Sequence, residues 1–487
     1  MKTLFKIRDA FALFIIIFTN INAQYYNKPL TIQALNHTTS ASAISRSMGD
    51  LSLASKNDVS IMFSNPAALQ TIHGIQFSFG GLLEYKKNEQ IQRWYSLDWL
   101  SMFDLFMEGK TADIRDPVIN TNKVTVPTYQ DSVQRNGRNP NWTHSHNQFV
   151  PSFILAAAPF KISNMKFTIG VGFVEYANVN YFYANRTAFN RNLDYITLPI
   201  SVDPNPEVAY WWADTRLREG SIYGYGGALS ATVLENLIVG LSGLYISGTV
   251  NDTESREGFG KLEFFSKDFR FTEDTYFVSW KSESNITGFE MTFSSIYRIK
   301  NLMLGFSFKL PTKITREFTT EGDSVKGPSN IKLPSKRGSD NITLPLRGSF
   351  GIGLSLRSNI FISGEYKYLP YNLAEYTDEN GKTTKPWLNC SSYHLGLEYL
   401  PMDFLAVRLG YQIKSEVFEQ QGNHLPGQSV SYNVYSIGLG INIIDNLQIN
   451  LGYEYIDMHY EDLWFLNTNI NKEKKNTIFG NILFTLK

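Results

Sequence analysis

Four basic residues, Lys309, Arg347, Lys367 and Arg408, stand singly in strings of small and apolar residues, and they are candidates for holding an anionic head group. A guanidinium forks two parallel hydrogen bonds onto a carboxylate, whereas a lysine offers a compact point charge. Acids occur in the same setting, at Glu84, Glu175, Glu290, Glu365, Glu398 and Glu454. Enclosed charges are costly unless paired. Two readings therefore fit: an internal network of ion pairs, or a lumenal site in which Arg347 or Arg408 grips a substrate carboxylate. Ser392 and His394 place a nucleophile two residues from a base. Acyl transfer also needs a group that orients the base, and no partner for it is identifiable, so the expected activity is not enzymatic. The single Cys390 cannot form an internal disulfide. Without a CxxC pair, a Cys/His cluster or a glycine-rich phosphate loop, the sequence calls for no metal and no cofactor. Acids and bases balance at 45 each, which leaves no electrostatic footprint for nucleic acid.

A second candidate is apolar. Leu97, Leu100, Phe103 and Met107 share one face of a short helix, with Trp99, Met102 and Phe106 on the neighbouring stripe and Trp94 opening the run. An apolar patch in a polar connection needs a reason. Either it captures a hydrophobic ligand, or it packs as a loop core against Tyr181, Phe182, Trp211 and Trp212.

The elements that must position these residues are strands. Ile75-Gln76-Phe77-Ser78-Phe79 alternates large apolar with small or polar, as do Phe404 to Ile413 and Leu447 to Tyr455. Period two sends the two sets to opposite faces. Tight connections at Leu234-Glu235-Asn236, Ile299-Lys300-Asn301, Arg357-Ser358-Asn359, Pro401-Met402-Asp403 and Ile444-Asp445-Asn446 alternate with long polar segments at 86–146, 185–220, 251–285 and 319–341. That rhythm predicts a transmembrane antiparallel β-barrel of about 14 strands, with short periplasmic turns and long outer loops. Strand starts fall near Gly74, Asn147, Met165, Ser221, Leu237, Thr287, Leu302, Leu344, Ile360, Ser391, Phe404, Tyr432, Leu447 and Asn476. A soluble sandwich or propeller also alternates but lacks the short/long rhythm. Tyr85, Tyr176, Tyr368, Tyr399, Tyr411 and Tyr455 fit interfacial girdles. The single charges then face the lumen, since a charge on the lipid face costs ~2–4 kcal/mol near the midplane. Gly170 and Gly172 are candidates for a kink.

The first residues, a basic start, the apolar run Phe11 to Phe18 and a small residue at Ala23, predict a signal peptide over 1–23. Residues 24–73 do not read as a membrane strand and suit a lumenal plug, a loose periplasmic tail being the other reading. The barrel follows over 74–487.

Within that segment, Ser45-Arg46-Ser47-Met48-Gly49, Asn57-Asp58 and Asn65-Pro66-Ala67-Ala68-Leu69 resemble the N-terminal hatch of FadL-type long-chain fatty acid transporters. Val59 and Ala68 stand where that family commonly has Ala and Gly. The resemblance implies a fourteen-stranded outer-membrane barrel whose hatch motif includes Met48, Gly49, Asp58, Asn65, Pro66 and Ala67. It implies transport of a fatty acid or similar hydrophobic compound by loop capture, lumenal binding and sideways release at a kinked strand. Outer-membrane lipids and the hydrophobic ligand are the partners so implied. FadL-like barrels that dock secretion machinery supply the alternative.

Overall fold

The computed structural model describes residues 34–36, 38, 42–52, 57–93, 141–185, 207–264, 269–322, 335–419, 429–464 and 467–486. Their strands form one antiparallel sheet closed on itself as a 14-stranded barrel. In chain order these are β1 Ile75–Arg93, β2 Trp142–Ile162, β3 Met165–Asn178 continued by Tyr181–Asn185, β4 Glu207–Leu234, β5 Leu237–Phe264, β6 Phe269–Ile299 and β7 Leu302–Lys309 continued by Thr312–Gly322. Then follow β8 Lys336–Leu344 continued by Arg347–Arg357, β9 Ile360–Leu369, β10 Cys390–Met402, β11 Leu405–Glu419, β12 Ser429–Ile444, β13 Leu447–Trp464 and β14 Asn467–Leu486. The breaks in β7 and β8 fall at Pro311 and Pro345, because proline has no N–H to give a ladder. Among the described residues no helix is long and apolar enough to cross a membrane.

Two-residue turns at 163–164, 235–236, 300–301, 358–359, 403–404 and 445–446 lie at one end. At the other end the hairpins run further than alternation predicts. The segment 251–285, expected as a polar loop, is mostly strand: β5 and β6 stay paired from Leu237↔Tyr297 to Phe264↔Phe269. The apolar alternation stops where lipid stops, but the hydrogen-bonded ladder does not need it. Cross-strand pairs such as Arg218–Asp252 at 2.7 Å occupy the extension instead.

The outer face is apolar. Phe79 is 54% exposed, and Leu83, Leu395, Leu451 and Ile478 are exposed with it. In water that would be a defect; around a closed barrel it is the lipid-facing band. Tyr85, Tyr368 and Tyr399 are exposed as expected of a girdle. Tyr176 is not one of them: it is buried and points inward, its hydroxyl donating to Glu290 at 2.9 Å.

The N-terminal segment lies against the inner wall. Its helix α1, Ala43–Ser47, is capped by Ser42, whose Oγ accepts from the Ser45 N–H and donates to Asp58. Asp58 in turn caps the 3-10 turn Val59–Ile61 by accepting from the Ser60 N–H and Oγ. A second 3-10 turn, Pro66–Thr71, starts with proline at a position where its missing N–H costs nothing.

Candidate functional site

The hatch motif residues meet the barrel at two walls of different chemistry. On the β9–β13 side the contacts are ionic and polar. Arg46 pairs with Glu454 at 3.0 Å, Asp50 with Lys367 at 2.7 Å, and Ser52 donates to Glu365 from both its N–H and its Oγ. Burial alone would push the Asp50 carboxyl up; Lys367, with Lys414 and His394 nearby, brings it well below its ordinary value of 3.8. Met48 and Gly49 lie where β10 and β11 carry Gly396 and Gly410. A Cβ on Gly410 would stand 2.0 Å from the Gly49 nitrogen. Gly49 itself has φ +78, a conformation that favours glycine.

On the β2–β6 side the contacts are mainly apolar. Val59, Met62, Phe63 and Leu69 pack with Phe153, Leu155, Val174 and Leu244, while Ala67 and Ala68 pack on Ile238 and Ile296. The Ala67 N–H donates to Ser294 at 2.8 Å, and Asn65 donates from Nδ2 to the Ser52 carbonyl at 3.1 Å. All six predicted motif residues are therefore used in folding the segment or docking it.

Above the hatch is a cavity of about 320 Å³. Apolar side chains such as Phe63, Leu82, Val174 and Ile456 share its wall with Arg46, Glu175, Lys367, Lys414 and Glu454. An apolar layer including Leu35, Tyr176, Ile222, Tyr371 and Trp387 lies in the same lumen.

The four predicted lumenal cations all face inward, yet each already holds a carboxylate. Lys309 and Arg347 converge on one acid, Glu290, at 2.6 and 2.7 Å. Lys367 holds Asp50. Arg408 is separate from the main cavity: it pairs with Glu398 at 2.7 Å, bonds Asn450 at 3.0 Å, and lines a small cleft by Ile44 and Phe404. His394 and Ser392 do meet, at 2.8 Å, but the other ring nitrogen faces the Gly49 carbonyl at 2.6 Å. With the proton on Nδ1, the imidazole fastens the hatch, and its second partner is a backbone carbonyl, not a carboxylate. Among the described residues no cluster of three metal-ligating side chains occurs. The apolar run Trp94 to Met107 lies outside the described residues.

Sequence reasoning missed a seam between β2 and β3. Their ladder ends at Phe153↔Val174. Beyond it, β2 pairs with β1 and β3 with β4. Both strands bulge just there. Ser152 is the extra residue of β2, between Gly80↔Phe153 and Gly81↔Pro151; Tyr176 is the extra residue of β3, between Glu175↔Tyr223 and Ala177↔Ile222. A bulge bends its strand and terminates pairing. The predicted kink glycines sit lower, inside the intact ladder at Gly170↔Ala157 and Gly172↔Leu155. The available signals were Pro151, which cannot donate to a ladder, and Val174 to Ala177, where alternation fails.

Between β2 and β3 side chains take the place of the ladder, while Thr38 of the N-terminal segment forms a single antiparallel bridge with Ala177 on the free edge of β3. Gln148 Oε1 accepts from Asn178 Nδ2 at 3.2 Å and from Asn180 Nδ2. Gln148 Nε2 also donates across the seam to Ser221 Oγ at 3.5 Å, and on the far side Ser221 donates to Glu175 at 3.1 Å. Higher up, His144 stacks on Phe182 with centroids 3.8 Å apart, and Trp142 meets Phe182 edge-on at 5.0 Å. Glu175, Asn178 and Asn180 line the lumenal cavity; Gln148 and Ser221 line an outer cleft of about 710 Å³. One polar cluster thus separates inside from outside.

With this geometry in hand, solved structures give a match over the whole barrel. A FadL homologue of Pseudomonas aeruginosa aligns at TM-score 0.56 and 12% identity, covering 92% of this chain and 99% of its own. This is a FadL-type fold. The toluene transporter TodX of P. putida aligns at TM-score 0.53 and 10% identity, covering 91% and 98% of the two chains. No family model and no curated protein sequence matches the chain. At such identities the likeness establishes the FadL-type architecture, and what this barrel carries must be argued from its own residues.

Proposed function

We propose that the chain carries hydrophobic small molecules, long-chain fatty acids or similar compounds, across the outer membrane. The observation that carries the reading is a lumenal cavity separated from the outer surface by a stretch of wall without a backbone ladder. Trp94, Leu97, Trp99, Leu100, Phe103, Phe106 and Met107 would capture the ligand, the cavity would hold it, and the seam would release it sideways. Sideways release spares an apolar molecule the polar lower lumen filled by the hatch. The hatch supplies the gate. Val59, Met62 and Phe63 belong to one packed cluster with Phe153 and Val174, the last laddered pair below the seam. Movement of the hatch removes the packing that holds those strands together. The same neutralised cations make head-group binding an exchange: a carboxylate reaching Arg347, Lys309 or Lys367 must displace Glu290 or Asp50.

The test is extraction of the purified barrel. Protein taken from outer membranes in mild detergent should release stoichiometric hydrophobic compounds to mass spectrometry. An empty barrel that passes hydrophilic solutes freely would refute the reading.

A further inference from the structure

We propose that the cargo recognised at the seam is an amphiphile whose polar end donates hydrogen bonds, an alkyl amine or alcohol in type, and not a carboxylate or a bare hydrocarbon. The inference rests on the transport reading and narrows it, setting a donor-headed amphiphile in place of the fatty acid as the cargo of this site.

Glu175 carries the argument. It is 1% exposed, lines the cavity at the seam, and its Oε1 takes the Ser221 hydroxyl while its Oε2 has no partner among the described residues. A buried acceptor left open costs ~1–3 kcal/mol, more for a charged group. The cations nearest to it are committed elsewhere: Lys475 to Glu84 at 2.6 Å and Arg46 to Glu454 at 3.0 Å. Beside it, Gln148 directs its carbonyl oxygen at the two asparagines. A wall made to pass hydrocarbon alone has no use for this cluster, and a carboxylate beside Glu175 sets two carboxyl groups together in a low-dielectric place where both cannot readily ionise. A donor head group instead completes Oε2 while its alkyl chain lies on Val174, Leu82 and Leu244, which line the same cavity. The rival anchor is Lys414, in the same cavity and in the field of Asp50 and Glu454.

The experiment uses the full barrel in amphipol and titrates decylamine, decan-1-ol and decanoate, which share a chain and differ in head group. Decylamine should bind about tenfold or more tighter than decanoate, the step that ~1.4 kcal/mol represents. Glu175→Gln should erase the amine preference and leave decanol unchanged; Ser221→Ala, which frees the second oxygen, should keep or strengthen it. Heat-modifiable gel migration confirms that each variant is folded. Tightest binding by decanoate, lost in Lys414→Gln, would overturn the inference and leave the transport reading standing, as would an amine preference that survives Glu175→Gln. Failure of all three probes to bind would refute both.

Discussion

The barrel has two seams that a reader of its topology would treat alike. The first and last strands meet along 19 consecutive residues of β1, from Ile75↔Leu486 to Arg93↔Thr468, without a register shift. The second and third strands, neighbours in sequence joined by a two-residue turn, part at Phe153↔Val174, and above it they are linked by side chains, with one backbone bridge from β3 to Thr38 of the N-terminal segment. Closing the barrel costs the most chain entropy because the partners are farthest apart in sequence, and there the ladder is complete. The easy local hairpin is the one left open. Separating these two strands further would forfeit no β2–β3 ladder and would work against side-chain bonds worth about 1 kcal/mol each and the single Thr38↔Ala177 bridge.

The N-terminal segment, the proposed hatch, shows the same asymmetry, ionic toward β9–β13 and largely apolar toward the seam, and variants can break or sharpen the contrast. The largest effect should come from Gly240→Val. Its Cβ would stand 2.3 Å from the Ala67 nitrogen and 2.4 Å from the Pro66 carbonyl carbon, backbone atoms that cannot step aside. The hatch should fail to dock, seen as protease cleavage within 57–73 and as new ion conductance in planar bilayers, with the barrel still heat-modifiable. Next is Arg46→Met, which leaves Glu454 buried without its hydrogen-bonded partner. Breaking such a pair costs about 3 kcal/mol, readable as faster hydrogen exchange in 42–52, while exchange on the apolar side changes less.

Acidification should release the ionic side only. The Asp50 carboxyl is depressed in the folded protein, so its contribution is complete above its ordinary value of 3.8 and is lost as pH falls below it. Hatch protection should be flat through neutral and mildly acidic pH and fall only below that value. Asp50→Asn should weaken this dependence, the Arg46–Glu454 pair keeping the rest, and lower protection at neutral pH. The smallest effect belongs to the seam itself. Gln148→Leu should change barrel stability by less than about 1 kcal/mol, whereas Asn481→Leu, which strips a buried bond to Ser78 at the closed seam, should cost about 1–2 kcal/mol. Urea titrations of the two compare the seams directly.

How much of this was legible in the chain follows from which forces leave a pattern. Lipid on one side and a packed lumen on the other impose period two, so the strands, their turns and the inward charges could be read. The extramembrane hairpins could not be, since water accepts polar residues on both faces of Arg216–Glu254 and its neighbours. The motif residues of the N-terminal segment were legible only through resemblance to a known hatch; the structure gives the reason for two of them, Asp58 capping one 3-10 turn and Pro66 starting the other. Pairing of Lys309 and Arg347 on Glu290 is three-dimensional and left no spacing to read. Nor did Glu175 differ in sequence from any other lumenal acid; only the bulges beside it distinguish it.

The most direct test of the account is a pair of cross-links. Cysteines at Gln148 and Asn180, bridged by a short bifunctional thiol reagent, tie the open seam; cysteines at the paired positions Tyr85 and Asn476 tie the closed one. Uptake of a hydrophobic ligand should drop toward background with the first bridge, return on reduction, and be untouched by the second. Uptake unaffected by the β2–β3 bridge, or reduced equally by both, would contradict the account.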